Sequence, residues 1–92
     1  MTDNERKVFD KAIGKWGYKA QLLMVLEEMS ELQKEVCKDF RGKPNLDAIA
    51  DECADVEIML DQLKMIYGIE KHVKTHREYK IDRLAKRLEI SS

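Results

Sequence analysis

The chain has 92 residues, 38% of them charged, and a formal net charge of −1. This length predicts a single domain, residues 1–92, with a modest core. The near balance of acids and bases argues against a nucleic-acid partner, and no apolar stretch of the sequence reaches transmembrane length. The polar first seven residues lack the pattern of a signal peptide, so we expect a cytoplasmic protein without a membrane partner.

Apolar residues recur at helical spacing and proline is nearly absent, which predicts an all-α chain. Gly14 and Gly17 are expected to close the first helix and Gly68 the third, while Asn45 suits the N-cap of the third. A helical chain this small is expected to complete its core by homo-oligomerisation. The expected helices are Thr2 or Asp3 to Lys15, Lys19–Phe40, Leu46–Tyr67 and Ile69–Leu88.

Each of the two central helices carries an acid-x-x-acid pair within an apolar stripe. The pairs are Glu28/Glu31 and Glu52/Asp55, and the apolar residues around them match in register. Residues three and four apart share one face of a helix, so two antiparallel helices would bring the four acids to one edge of a common core. A buried carboxylate without a partner is unfavourable, whereas carboxylate oxygens are ligands that Mg²⁺ uses. The sequence therefore predicts a Mg²⁺ site, with Mn²⁺ as a substitute. The alternative is a solvated acidic face, which is common in a highly charged chain.

The two cysteines, Cys37 and Cys53, lie in apolar stretches of the predicted helices. We expect them to be small core residues with free thiols, because their spacing fits neither a disulfide framework nor a zinc site.

The two acid pairs together resemble the ExxE…ExxD signature of the MazG-like all-α NTP pyrophosphohydrolases. Twenty residues separate Glu31 from Glu52, and Asp55-Val56 precedes an apolar stretch, as in the second motif of that family. The resemblance covers about residues 10–88 and points to the short single-domain forms that are common in phages and prophages.

This resemblance implies a four-helix bundle-like MazG fold, completed as a homodimer or tetramer. It also implies Mg²⁺-dependent hydrolysis of the α–β phosphoanhydride of NTPs and dNTPs, which yields a nucleoside monophosphate and pyrophosphate in a house-cleaning role. Carried over by motif position, the metal ligands and catalytic residues are Glu28, Glu31, Glu52 and Asp55.

Residues outside the acid pairs are candidates for contacts with the nucleotide. Since the acids hold the metal, the phosphates need cationic partners, for which Lys38, Lys80 and Arg83 are favoured; similar family members use basic residues of the last helix. Gln21 lies on the same side as Glu28 and is a candidate for a hydrogen bond to the base, and similar family members carry Gln there. Trp16 is a candidate for stacking on the base, with core packing as the alternative.

Other functions are compatible with the same residues. One is a helical nucleotide-binding or regulatory module with little turnover, and another is a hydrolase of a different pyrophosphate-containing nucleotide. A purely structural helical protein with exposed acidic stripes is a further alternative, and it predicts no stabilisation by metal.

Overall fold

The computed structural model describes residues 1–90, which form four α-helices and no β-strand. The all-α prediction is confirmed for these residues, and each predicted helix end lies within about one residue of the observed end. Residues 91 and 92, the end of the predicted domain, lie outside the described residues. Within residues 1–90, none of the helices is both long enough and apolar enough to cross a membrane. The helices are α1 (Asp3–Trp16), α2 (Tyr18–Phe40), α3 (Leu46–Tyr67) and α4 (Glu70–Arg87).

Local capping groups set several of these helix ends. The Thr2 hydroxyl accepts a hydrogen bond from the Glu5 amide at 3.0 Å, and the Glu5 carboxylate accepts one from the Thr2 amide, which completes a capping box. Asn45 Oδ1 accepts from the Ala48 amide at 3.0 Å, as the sequence predicts. Gly68, with a φ of 64°, ends α3 in the left-handed conformation.

The predicted role of Gly14 in closing α1 is wrong. Gly14 lies inside α1, and the chain turns at Gly17, whose φ of 88° lies outside the helical region. A single glycine weakens a helix by only about 1 kcal/mol, which the continuing backbone hydrogen bonds of α1 offset.

The antiparallel pair of α2 and α3 is the centre of the structure. Residues 41–45 reverse the chain between them, and α1 packs against both helices. The core is small: the buried apolar residues within residues 1–90 are Phe9, Val25 and Met59, and each of them keeps a few per cent of its surface exposed. We call the contact between α2 and α3 the α2–α3 seam. Whether a side chain of these two helices is shielded from water depends on whether it lies along this seam.

The last helix, α4, projects from the body formed by the other three. It packs only sparsely on α3 and makes no close backbone contact with α1 or α2 in the described part of the chain. Arg6 ties its start to α1 through two hydrogen bonds of 2.7 Å to the Glu70 carboxylate. The radius of gyration is 16.1 Å, whereas a compact domain of this length would have about 12 Å. The chain is therefore extended, and the apolar side chains Val73, Ile81 and Leu84 of α4 are exposed to solvent, as is Leu88, the residue that follows this helix.

The predicted core location of the two cysteines is also wrong. Cys37 and Cys53 are free thiols on exposed positions. At about 100° per residue, Cys37 lies about 120° around α2 from the buried Val25, and Cys53 lies about 120° around α3 from the buried Met59, so neither cysteine shares the buried face of its helix.

Candidate metal centre

Three of the four predicted metal ligands converge at the α2–α3 seam. Glu28 on α2, and Glu52 and Asp55 on α3, each place one carboxylate oxygen within 4.8 Å of the others. All three are half-buried. Glu52 and Asp55 are three residues apart and share a face of α3, while the antiparallel course of α2 brings Glu28 opposite them. The matching register of the two apolar stripes therefore produces the predicted meeting of acids.

The three carboxylates are electrostatically unfavourable as a group of anions. Burial raises the pKa of Glu28 above its ordinary value, and the charges of Asp55 and Glu52 raise it further. Burial is also the main cause that raises the pKa of Glu52, followed by the charges of Asp55 and Asp51. Like charges that share a site favour retention of a proton, so Glu28 and Glu52 are less acidic than separate surface carboxylates.

One oxygen of the cluster lacks any hydrogen-bond partner. Glu52 Oε2 is buried and unpartnered, and among side-chain nitrogen and oxygen atoms of residues 1–90 it is alone in this. Buried polar atoms are nearly always satisfied in folded proteins. The same oxygen belongs to a carboxylate that faces two other acids, so the donor set and the missing partner both fit a hard divalent cation.

Glu31, the fourth predicted ligand, lies beside the cluster. It follows Glu28 by one turn on α2 and is half-buried, and its charge contributes to the raised pKa of Glu52. Its carboxylate does not belong to the group that converges within 4.8 Å in the described residues. The structure thus brings three predicted ligands together and leaves the fourth within electrostatic reach.

The two predicted base-contact residues lie on different helices: Gln21 is on α2, about two turns before Glu28, and Trp16 is the last residue of α1. Gln21 is buried, with 6% of its surface exposed, whereas Trp16 is 59% exposed at the end of α1. The core-packing alternative for Trp16 therefore fails, and Lys15 Nζ lies 5.4 Å from the centre of its ring.

Gln62 is a residue of this region that sequence reasoning missed. It is 4% exposed, and its side-chain oxygen accepts a hydrogen bond of 2.7 Å from Gln21 Nε2. A signal was present in the sequence: Gln62 follows Asp55 by seven residues, just as Gln21 precedes Glu28 by seven. In an antiparallel pair of helices, equal offsets from facing residues place the two glutamines opposite each other.

The predicted phosphate contacts are not brought to the carboxylates within one chain. Lys38 Nζ pairs with Glu35 at 3.2 Å, at the far end of α2. Lys80 and Arg83 lie on α4, which makes no close backbone contact with α2 in residues 1–90. The Arg83 guanidinium lies 5.7 Å from the centre of the Tyr79 ring on its own helix.

Comparisons of the chain with protein-family models, with curated proteins and with solved structures found no match. The resemblance carried by the two acid pairs therefore stays a prediction.

Proposed function

We propose that the protein is a Mg²⁺-dependent nucleoside triphosphate pyrophosphohydrolase with a MazG-like fold. The observation that carries this proposal is the convergence of Glu28, Glu52 and Asp55, together with the buried carboxylate oxygen of Glu52 that has no hydrogen-bond partner. An acidic cluster on its own is common on protein surfaces. The buried, unpartnered oxygen of Glu52 and the raised pKa values of Glu28 and Glu52 distinguish this cluster from a solvated acidic face.

Glu28, Glu52 and Asp55 are the residues that would hold the metal. When bound, Mg²⁺ supplies charge neutralisation to phosphate oxygens and lowers the pKa of a bound water. Glu31 lies outside the three converging carboxylates and near Glu52, which leaves it as the fourth ligand or as the acceptor of a proton from the attacking water. The two helices supply a rigid frame that fixes these carboxylates relative to one another.

Homo-oligomerisation is part of the proposal, because a single chain leaves much of its apolar surface uncovered. Leu23 and Leu26 on α2 are each 66% exposed, Phe40 is 86% exposed and Leu46 is 77% exposed. Contiguous exposed apolar surface marks protein interfaces, and Leu23 and Leu26 are neighbours one turn apart on α2. A second copy that covers α2 and α4 would complete the four-helix bundle as a dimer or tetramer.

The charges of the last two helices favour an assembly in which α4 of one copy lies near the carboxylates of another. Six acidic residues and one lysine lie on α3, whereas seven basic and three acidic residues lie on α4. Complementary charges fix the register of such interfaces. Lys80 and Arg83 would then reach the phosphates from the partner copy, which accounts for their distance from the cluster in one chain.

The substitution Glu52→Gln tests the proposal directly. It keeps the shape of the side chain and removes the charge, so we expect Mg²⁺-dependent turnover of NTPs to be lost while the helical content is retained. Glu27→Gln is the matched control, because Glu27 neighbours Glu28 but is exposed. Unchanged turnover in Glu52→Gln, or equal loss in both variants, would remove the cluster from the reaction.

A further inference from the structure

The only two histidines of the chain lie one helical turn apart on α4. His72 and His76 are separated by four residues, and both side chains are exposed. Residues four apart share one face of a helix, with Cβ atoms about 5–6 Å apart. Both histidines line one shallow cavity of about 220 Å³, together with Lys71 and Thr75. The two imidazoles therefore border the same small volume.

This spacing suits the binding of one metal ion by both rings. Imidazole nitrogen binds Zn²⁺ at about 2.0–2.1 Å, so two rings whose Cβ atoms are about 5–6 Å apart can both reach an ion between them. Zinc sites on helices use the same separation of two histidines. Because a regular helix fixes the separation, no loop has to be ordered when the ion binds.

The start of α4 is held in place, which preserves this geometry. Glu70 is the first residue of the helix, and His72 lies two residues later, in the first turn. Helix ends otherwise fray. The Glu70 carboxylate accepts two hydrogen bonds of 2.7 Å from Arg6 on α1. This contact between helices stabilises the turn that positions His72 relative to His76.

The histidine pair lies to one side of the apolar stripe that a second copy is proposed to cover. At about 100° per residue, the centre of the pair lies about 110° around α4 from the centre of the stripe formed by Val73, Ile81 and Leu84. His76 is the nearer of the two histidines and borders the stripe, whereas His72 lies further around the helix. An interface centred on the stripe therefore leaves the cavity between the histidines accessible.

We propose that His72 and His76 chelate a divalent transition-metal ion of the class of Zn²⁺, Ni²⁺ and Cu²⁺. Imidazole nitrogen suits these ions, whereas carboxylate oxygen suits Mg²⁺, so this site differs in chemistry from the carboxylate cluster of α2 and α3. No third histidine, cysteine or carboxylate of residues 1–90 completes a group with the pair. Structural zinc sites have four protein ligands. An ion with two protein ligands keeps positions for water, and we expect it to exchange freely without being needed for folding.

A neighbouring charge gives a further expectation about affinity. Lys71 lines the same cavity, and its ammonium group disfavours a second cation there. The substitution Lys71→Gln removes this repulsion and should lower the dissociation constant for the ion. Among the probe metals, Cu²⁺ should bind more tightly than Ni²⁺ or Zn²⁺.

Isothermal titration calorimetry with ZnCl₂ tests the site on the full chain without a histidine tag. The titration is made at pH 7, since neutral imidazole is the form that binds metal, and in excess Mg²⁺, which competes for the carboxylates. We expect one Zn²⁺ per chain. His72→Gln and His76→Gln each leave a single imidazole and should raise the dissociation constant by more than about tenfold, because changes to residues that merely support metal ligands already weaken binding about 10–100-fold.

A repositioned pair is the matched control. Lys74→His combined with His76→Gln keeps two histidines on α4 but places them two residues apart, about 160° apart around the helix. This variant should bind Zn²⁺ as weakly as the single variants do. All the substituted positions are exposed, so each variant should keep the helical content of the wild type, which circular dichroism checks.

The outcomes separate this site from the proposed hydrolysis. Zn²⁺ binding that is lost in both single variants and in the repositioned pair supports the site. Binding that persists in these variants overturns it, and loss of that binding in Glu52→Gln assigns the ion to the carboxylates. A wild type that binds no Zn²⁺, as when a second copy covers the histidines, also overturns it. None of these results depends on turnover, so the site and the pyrophosphohydrolase activity fail or succeed independently.

Discussion

Neutralising one acid of the cluster should change stability in opposite directions with and without Mg²⁺. In the metal-free protein, burial and neighbouring acids raise the pKa of Glu28 and Glu52 above the ordinary 4.5. A carboxyl with a higher pKa in the folded state contributes stability below its unfolded pKa, and this is lost as pH rises through the folded value. At pH 7 in EDTA, which is above the ordinary pKa of a carboxyl, these two groups make the folded state less stable than neutral side chains would, so Glu28→Gln and Glu52→Gln should melt at a higher temperature than the wild type.

In Mg²⁺ the wild type should instead melt at a higher temperature than the two variants. An ion that binds only the folded state stabilises it by about 2.7 kcal/mol at one hundred times its dissociation constant. For a chain of this length, each kcal/mol raises the melting temperature by about 4–8 °C, so the wild type should gain roughly 10–20 °C. Changes to residues that merely support metal ligands weaken binding about 10–100-fold. Loss of a direct ligand should therefore remove most of the gain in Glu28→Gln and Glu52→Gln.

Thermal melts followed by circular dichroism, at one protein concentration, test both expected changes of melting temperature: the increase of the variants over the wild type in EDTA and their smaller response to Mg²⁺. The matched control is Glu27→Gln, which makes the same charge change at an exposed neighbouring position and should respond to Mg²⁺ as the wild type does. A wild-type melting temperature that does not change with Mg²⁺ would contradict metal binding by the cluster, as would an equal loss of the Mg²⁺ response in all three variants.

Three further predictions concern pH, the core and a helix end. In EDTA, the melting temperature should fall as pH is raised from 4.5 through the raised pKa values of Glu28 and Glu52; melts across pH check this, and Glu28→Gln should flatten the profile. Met59→Ala should lower the free energy of unfolding in urea by about 2–3 kcal/mol, the lower part of the usual range, because few other residues are buried around this side chain. If this variant loses no more free energy of unfolding than a substitution at an exposed position does, Met59 does not belong to the core. Asn45→Ala should cost about 1 kcal/mol in the same assay, while Asn45→Ser keeps the cap to the Ala48 amide; equal stability of these two variants would show that the cap contributes nothing.

The helices and the meeting of three acids could be predicted because local patterns specify them. Asn45 and Gly68 mark the ends of α3 by their own conformational preferences, and the sequence placed both boundaries of that helix correctly. The convergence of Glu28 with Glu52 and Asp55 follows from two apolar stripes in matching register. In these cases the spacing of residues along the chain determines the geometry.

The rest depended on tertiary packing that no single motif encodes. The pairing of Gln21 with Gln62 requires the register of α2 against α3, which the acid pairs specify only once they are known to face each other. The course of α4, and with it the position of Lys80 and Arg83, is not determined by its apolar stripe, because that stripe finds no close cover within residues 1–90.

Product analysis after incubation with a panel of NTPs and dNTPs, in Mg²⁺ and in EDTA, decides whether the protein is a Mg²⁺-dependent pyrophosphohydrolase. We expect nucleoside monophosphate and pyrophosphate in Mg²⁺ and no product in EDTA. Nucleoside diphosphate and orthophosphate would mean cleavage of a different bond, and an absence of turnover across the panel would contradict the proposed activity.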